Sequence, residues 1–308
     1  MRGGTVRNLG LCPAGTTCTV LVGLLVSVCT SGQASAQAAA AVASSPGSVA
    51  RATTGERQAP GVTLAHTEQR AITSSKIGQR YDLLVSLPGD YATSGKRYPV
   101  LYVLDGWHFP LMAFLQENNI FSERMPPVII VNISHGDVGA MELRGRDFTP
   151  TKTDRYANSG GAKAFLEFLE RELIPLVDQT YRTVTTDRGL LGHSLGGLFA
   201  LHTLEQRPGL FQRIVAASPS VGWDNRLLFA AFERVKALPS PVRLDLSVGT
   251  DAPETPEHVI AFARLLDRVK PEGLDYRSTI YPGENHNSVR LASFPSGLYW
   301  VYRPAGSR

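Results

Sequence analysis

Cysteine is scarce in this sequence of 308 residues and lies only near its N-terminus. The three cysteines, Cys12, Cys18 and Cys29, all precede Ala36, after which a secretory leader is expected to be cut. A chain cleaved there has no thiol, so it forms no disulfide and no cysteine-ligated metal site. The metal-hydrolase patterns H-E-x-x-H and H-x-H are absent too. We therefore expect neither a metal nor another cofactor.

Long apolar runs and dense charge are also lacking. The apolar run at residues 20–28 is shorter than the about 20 residues that cross a bilayer, so no membrane span is expected in the mature protein. The formal charge of +4 loses the two arginines of residues 1–36 with the leader and becomes +2. There is no basic stripe with interleaved aromatic residues, which argues against nucleic acid as a partner.

Residues 1–36 have the pattern of a signal peptide. Arg2 and Arg7 precede the apolar run, and the small residues Ala34-Ser35-Ala36 follow it at the position of a cleavage site. A short buried or interfacial helix is the alternative interpretation of the same run. The signal-peptide interpretation predicts a periplasmic or secreted protein.

Composition divides the rest of the chain. Residues 37–60 are rich in Ala, Ser, Gly and Thr and bury too little apolar surface to offset the entropy of ordering, so they predict a disordered linker. One folded domain, which holds every candidate site residue, is expected over residues 61–302. Residues 303–308 remain as a C-terminal tail.

Short apolar segments alternate with helical patterns throughout residues 61–302. Apolar residues recur at helical spacing in residues 161–177, with a bend expected at Pro175. The alternation predicts an α/β fold with a mostly parallel central sheet and helices on both faces. The more mixed pattern of residues 63–87 favours an antiparallel N-terminal edge. The predicted strands are 81–88, 99–106, 126–134, 188–192, 211–219, 242–248 and 274–283.

The stretch LLGHSLGGLF, residues 190–199, contains the pattern G-x-S-x-G around Ser194. Leu190-Leu191 ends a predicted strand and Leu198 lies at the start of a predicted helix, which is the strand–turn–helix context of a nucleophile elbow. In that turn the amide of Leu195 faces the charge that develops during acyl transfer. The alternative is a serine at an ordinary helix N-cap.

A serine nucleophile needs a base, and in this chain order an acid precedes that base. His286 follows the last predicted strand and is the candidate base; the alternative is a solvated loop histidine. Asp251 follows the strand 242–248 and is the preferred acid, with Glu254 as the alternative. Gly106-Trp107 lies at the carboxyl end of the strand 99–106, and the amide of Trp107 is the second candidate donor for the oxyanion.

Five segments in order resemble the putative-esterase family of α/β-hydrolases, the group of esterase D and the ferric-siderophore esterases. They are LYVLDG (101–106), RDFTPT (146–151), GHSLGG (192–197), SPSVGWDN (218–225) and GENHNSV (283–289). The resemblance implies an α/β-hydrolase fold and a serine carboxylesterase that cleaves a small-molecule ester, such as a siderophore trilactone or an aryl ester. It implies Ser194 as nucleophile, His286 as base and an acid within residues 251–254. Some relatives work with a serine–histidine dyad, which leaves the role of the acid open.

The same resemblance implies a substrate pocket around Gly106 and Trp223. The family pattern has an aromatic residue before Trp223, where this chain has Gly222, so a wider pocket is expected. Arg144 and Arg146, in what we interpret as a loop, are candidate contacts for an anionic substrate. The alternatives are that Arg146 pairs with Asp147 or braces that loop, and that Trp223 belongs to the core.

Two other functions are compatible with these residues. An acyltransferase uses the same triad with an alcohol in place of water, and a binding protein of this fold has lost catalysis altogether. The ordered serine, acid and histidine favour an enzyme. Nothing in the sequence predicts the oligomeric state.

Overall fold

A computed structural model describes residues 63–304, with the exception of 137–139, 155 and 253–254. The expected leader, the expected linker and most of the C-terminal tail lie outside the described residues. So does Glu254, the alternative acid. Within the described residues, none of the helices is long and apolar enough to cross a membrane.

The described residues form a sheet of eight strands in the order β1-β2-β4-β3-β5-β6-β7-β8. Strands β1 and β2 and strands β2 and β4 pair antiparallel, and the neighbouring strands from β4 to β8 are parallel. The predicted parallel sheet with an antiparallel N-terminal edge is confirmed. The strands are β1 Thr67–Thr73, β2 Arg80–Ser86, β3 Tyr98–Leu104, β4 Ile129–Ser134, β5 Thr183–His193, β6 Arg213–Ala217, β7 Ala237–Gly249 and β8 Glu272–Tyr281.

Helices cover both faces of this sheet, as predicted. Successive strand side chains point to opposite faces, so Tyr102 packs in the core below helices α3 to α7, while Val103 packs in the core below α1 and α8. The central strands are therefore apolar at nearly every position. The helices are α1 Phe109–Ser122, α2 Ala140–Asp147, α3 Ala162–Phe168, α4 Ile174–Thr180, α5 Leu195–Gln206, α6 Trp223–Phe232, α7 Thr255–Val269 and α8 Val289–Val301.

The bend expected at Pro175 takes the form of a π-helical turn just before it. Residues Leu169–Leu173 form this turn between α3 and α4, and Pro175 lies in the first turn of α4. Proline has no N–H, and in a regular helix its ring collides with the carbonyl four residues earlier. The wider π-helical turn avoids this collision.

The interpretation of residues 141–151 as a loop is wrong for residues 141–147, because helix α2 spans Ala140–Asp147. Its buried residues are Arg144, Gly145 and Asp147, so the face that packs inward is polar. A helix with a charged inner face shows no apolar periodicity, and that periodicity is the signal from which helices are predicted.

Candidate active site

Ser194 lies in the turn between β5 and α5, at the carboxyl edge of the parallel strands. Its backbone has φ 60° and ψ −118°, a conformation that costs a residue with a side chain about 1–3 kcal/mol. Its amide donates to the carbonyl of Ala217 across 3.0 Å, and its carbonyl accepts from Leu198 and Ser220 across 3.0 and 3.1 Å. These bonds hold the strained turn in place.

Gly192 makes this turn possible. A Cβ at residue 192 would stand 2.2 Å from the carbonyl oxygen of Gly196, far inside van der Waals contact. The glycine of the motif is therefore required by the close approach of the strand to the first turn of α5.

Ser220 is a neighbour of Ser194 that the sequence analysis did not single out. The two hydroxyl oxygens are 3.5 Å apart, and the amide of Ser220 is bonded to the Ser194 carbonyl. Its signal was the segment SPSVGWDN, in which only Gly222 and Trp223 were named as candidates.

His286 lies in a tight turn between β8 and α8. The side-chain oxygen of Asn285 accepts hydrogen bonds from the amides of Asn287 and Ser288 at 2.8 and 2.9 Å, which shapes the turn around the imidazole. The His286 ring is half-buried, and its Nδ1 is a buried atom without a hydrogen-bond partner. This is the atom to which a triad acid would bond.

The charges around His286 favour its neutral form. Burial, followed by the cations of Arg144 and Arg290, lowers the pKa of His286 below the ordinary histidine value. Within the part of the chain that the structure describes, Arg290 has no ion pair, and its Nε donates to the carbonyl of Asn287 across 2.7 Å. A neutral imidazole can accept a proton, so this environment suits a general base.

Asp251 is near the histidine turn, but its carboxylate does not contact the imidazole. Its amide donates to the carbonyl of Glu284 across 3.0 Å, and a Cβ at Gly249 would stand 2.2 Å from the same oxygen. The Asp251 side chain is exposed and accepts a hydrogen bond from Thr250. The structure thus joins the two loops through their backbones.

Both candidate oxyanion donors lie at the carboxyl edge of the sheet. Gly106 and Trp107 belong to a short 3-10 turn directly after β3, and Asp105 turns the chain into it with φ 69°. A Cβ at Gly106 would stand 2.3 Å from Oγ and 2.4 Å from Cβ of Ser134, so only glycine fits there. Leu195 is the first residue of α5, where an amide has no partner within the helix.

Arg144 forms a buried ion pair with Asp105. Its Nε and Nη2 reach the two carboxylate oxygens at 2.8 and 3.0 Å, and the two residues are 5% and 0% exposed. The guanidinium also lies 5.4 Å from the ring centre of Trp107, whose side chain is 47% exposed. The pair connects α2 to the turn that carries the candidate oxyanion donor.

Arg146 forms an ion pair with its neighbour Asp147. Its Nε and Nη2 donate to the two carboxylate oxygens at 2.6 and 3.1 Å. Asp147 also accepts hydrogen bonds from Tyr81 and His135. Burial raises the pKa of Asp147, but the bonds from His135 and Arg146 outweigh it and leave the pKa below its ordinary value. The substrate contacts predicted for Arg144 and Arg146 stay predictions, and the ion pair of Arg146 favours the alternative that this residue pairs with Asp147.

Trp223 lies at the start of α6, close to Ser220. Its indole N–H donates to Thr151 Oγ1 across 3.1 Å, and its ring stacks on Tyr156. A Cβ at Gly222 would stand 2.2 Å from Nδ1 of His258. The imidazole of His258, from α7, therefore occupies the space beside Gly222, and the expected wider pocket stays a prediction.

Comparisons with known proteins place the chain among the esterases. The model of the family described as "Putative esterase" matches residues 74–283. The chain is 26% identical to ferri-bacillibactin esterase BesA of Bacillus subtilis, over 79% of this chain and 92% of that protein. It is 30% identical to the siderophore triacetylfusarinine C esterase of Aspergillus fumigatus, over 82% of this chain and 100% of that protein.

Solved structures give the same result for the fold. The BES protein of Bacillus cereus superposes with a TM-score of 0.73 at 29% identity, covering 82% of this chain and 100% of that one. An IroE-like serine hydrolase from Shewanella oneidensis superposes with a TM-score of 0.70, also at 29% identity, covering 77% of this chain and 80% of that one.

Proposed function

The chain belongs to the putative-esterase family of α/β-hydrolases and is a carboxylic ester hydrolase, and on this premise we propose that Ser194 is its nucleophile and His286 its general base. Ser194 Oγ attacks the ester carbonyl while His286 takes the hydroxyl proton. The oxyanion accepts hydrogen bonds from the amides of Leu195 and Trp107. His286 then returns the proton to the leaving alcohol, and water hydrolyses the acyl-enzyme in the same way.

The strained backbone of Ser194 carries this proposal. A serine at an ordinary helix N-cap needs no such conformation, since N-cap residues adopt extended backbone angles. The cost is tolerated where the hydroxyl must stand clear of the strand and helix. The relative from Shewanella oneidensis, described as a serine hydrolase, supports the same chemistry.

For the acid, Asp251 remains the proposed residue and Glu254 the alternative. The backbone bond from Asp251 to Glu284 supports a role in this region. The unpartnered Nδ1 of His286 also fits a serine–histidine dyad, in which the acid adds little.

The proposed substrate is an ester-linked siderophore. The two relatives that span most of this chain are named for ferri-bacillibactin and triacetylfusarinine C. Export would suit this substrate, and we propose that residues 1–36 direct it. The N-terminal sequence of the protein recovered outside the cytoplasm tests the cleavage after Ala36; an intact N-terminus there argues against it.

The mechanism is tested with Ser194→Ala on a panel of aryl esters of increasing chain length beside a ferric trilactone siderophore. We expect turnover to fall by about 10³-fold or more. Ser94→Ala, in the loop before β3 at the opposite edge of the sheet, is the control and keeps full activity. Full activity of Ser194→Ala on every ester that the unmodified protein cleaves rules the mechanism out. Alcohol acceptors in the same assay reveal an acyltransferase by a new ester product.

A further inference from the structure

The side chain of His193 is bonded to the backbone of the proposed base. His193 is the last residue of β5, directly before Ser194, and is 4% exposed. Its Nε2 lies 2.6 Å from the carbonyl oxygen of His286. A carbonyl only accepts, so Nε2 carries the proton and donates. The two imidazole ring centres are 4.6 Å apart.

This bond connects two segments that are distant in sequence. Residues 193 and 286 are separated by 93 positions, and one segment carries the nucleophile while the other carries the base. The hydrogen bonds from Asn285 shape the histidine turn from within, but they do not set its distance from β5. The hydrogen bond from His193 does limit the distance between the histidine turn and β5.

The environment keeps His193 in the form that makes this bond. Burial, together with His286 and with His108 and Arg290 nearby, lowers the pKa of His193 well below its ordinary value, although the bond to the His286 carbonyl opposes this. The ring therefore stays neutral and has one N–H. Because the carbonyl of His286 accepts a hydrogen bond from the N–H at Nε2, the tautomer is fixed as well.

We propose that His193 is a positioning residue that holds the turn of His286 against the strand of Ser194. The proposal rests on the proposed function of these two residues. Without the bond the imidazole is free to move relative to Ser194 Oγ, and a misplacement of about 1 Å costs a reaction on the order of 10²-fold. The variable position of G-x-S-x-G thus has a specific task in this chain.

Three variants, with a fourth held in reserve, separate this role from simple packing. His193→Leu fills the space but has no donor, whereas His193→Gln restores an N–H at a similar distance along the side chain. His202→Leu is the matched control, because His202 is also a buried histidine, on α5, and its Nδ1 has no partner. His193→Asn, which is polar but too short to reach, replaces the leucine variant if that variant does not fold.

The readout is the rate constant for labelling of Ser194 by a fluorophosphonate, beside kcat, KM and the free energy of unfolding. For His193→Leu we expect labelling and kcat to fall by about 10- to 100-fold with KM nearly unchanged. His193→Gln should recover most of this loss, and His202→Leu should label like the unmodified protein. The acidic limb of the kcat/KM profile should also move to higher pH in His193→Leu, because a looser imidazole regains solvent.

Two results overturn the proposal. One is a leucine variant that is labelled as fast as the unmodified protein. The other is a glutamine variant as slow as the leucine variant at equal stability, which would mean that ring shape and not the hydrogen bond matters. Ser194→Ala is measured in parallel to keep the two hypotheses apart. If this variant still hydrolyses the esters and is still labelled by the fluorophosphonate, the proposed function fails. If it does neither, the results on the His193 variants test only the role of His193.

Discussion

Two groups of residues around the candidate site, the paired side (Arg144 with Asp105 and Arg146 with Asp147) and the histidine side (His286 and Arg290), differ in how their charges are satisfied. On the paired side, Arg144 is bonded to Asp105 and Arg146 to Asp147. On the histidine side, His286 has a buried nitrogen without a partner, and Arg290 has no ion pair among the described residues. Paired charges fix the position of backbone segments, whereas groups left unpaired are available to substrate and proton. This difference is consistent with the proposal that the paired side is a framework and that His286 acts as the base.

The largest effect is expected on the histidine side, from His286→Ala. Removing the base should lower kcat/KM by about 10³-fold or more while leaving the fold intact. Ester turnover and circular dichroism measure the two quantities. His66→Ala, whose exposed imidazole contacts Glu117, is the control. A His286→Ala protein with near-normal turnover would remove the distinction between the two sides.

On the paired side the expected effect is on stability. Asp105→Asn leaves the Arg144 guanidinium buried without a counter-charge, which should lower the free energy of unfolding by about 3–5 kcal/mol. Urea unfolding measures it. Asp82→Asn, which breaks the exposed pair with Arg80, should cost less than about 1 kcal/mol. Equal costs for the two variants would show that the buried pair is not the framework proposed here.

The acid should have an intermediate effect. A carboxylate bonded to a catalytic imidazole is worth about 10⁴-fold, but the Asp251 carboxylate does not contact His286. We expect Asp251→Asn to lower kcat by about 10-fold or more and Glu254→Gln to have little effect. The reverse order would move the acid to Glu254. No effect of either variant would indicate a dyad.

The smallest effect is expected from Arg290→Gln. A cation beside an imidazole disfavours protonation, so its removal raises the pKa of His286 toward the ordinary value. The neutral base is then lost at a higher pH as the solution is acidified, and the acidic limb of kcat/KM should shift upward by less than about one pH unit. Arg268→Gln, which breaks an exposed pair on α7, should leave the profile in place. A shift of the acidic limb to lower pH in Arg290→Gln would contradict this prediction.

Several parts of the fold could be predicted because their signals are local. Continuous apolar segments identified the parallel strands, since a strand covered on both faces has apolar residues at every position. The mixed pattern near the N-terminus identified the antiparallel edge. Helix α2 was missed because its inner face is polar, and Asp105, the ion partner of its buried Arg144, lies on another segment.

The candidate site also has a part that the sequence predicts and a part that it does not. The elbow around Ser194 follows from the sequence by itself, because Gly192, the preceding strand and the following helix are neighbours along the chain, and steric limits on adjacent residues do not depend on the rest of the fold. The pairing of Arg144 with Asp105, the contact of Ser220 with Ser194 and the filling of the Gly222 space by His258 were decided by tertiary structure alone. Each joins segments that are far apart in sequence, and their distance is set by how the sheet and helices pack.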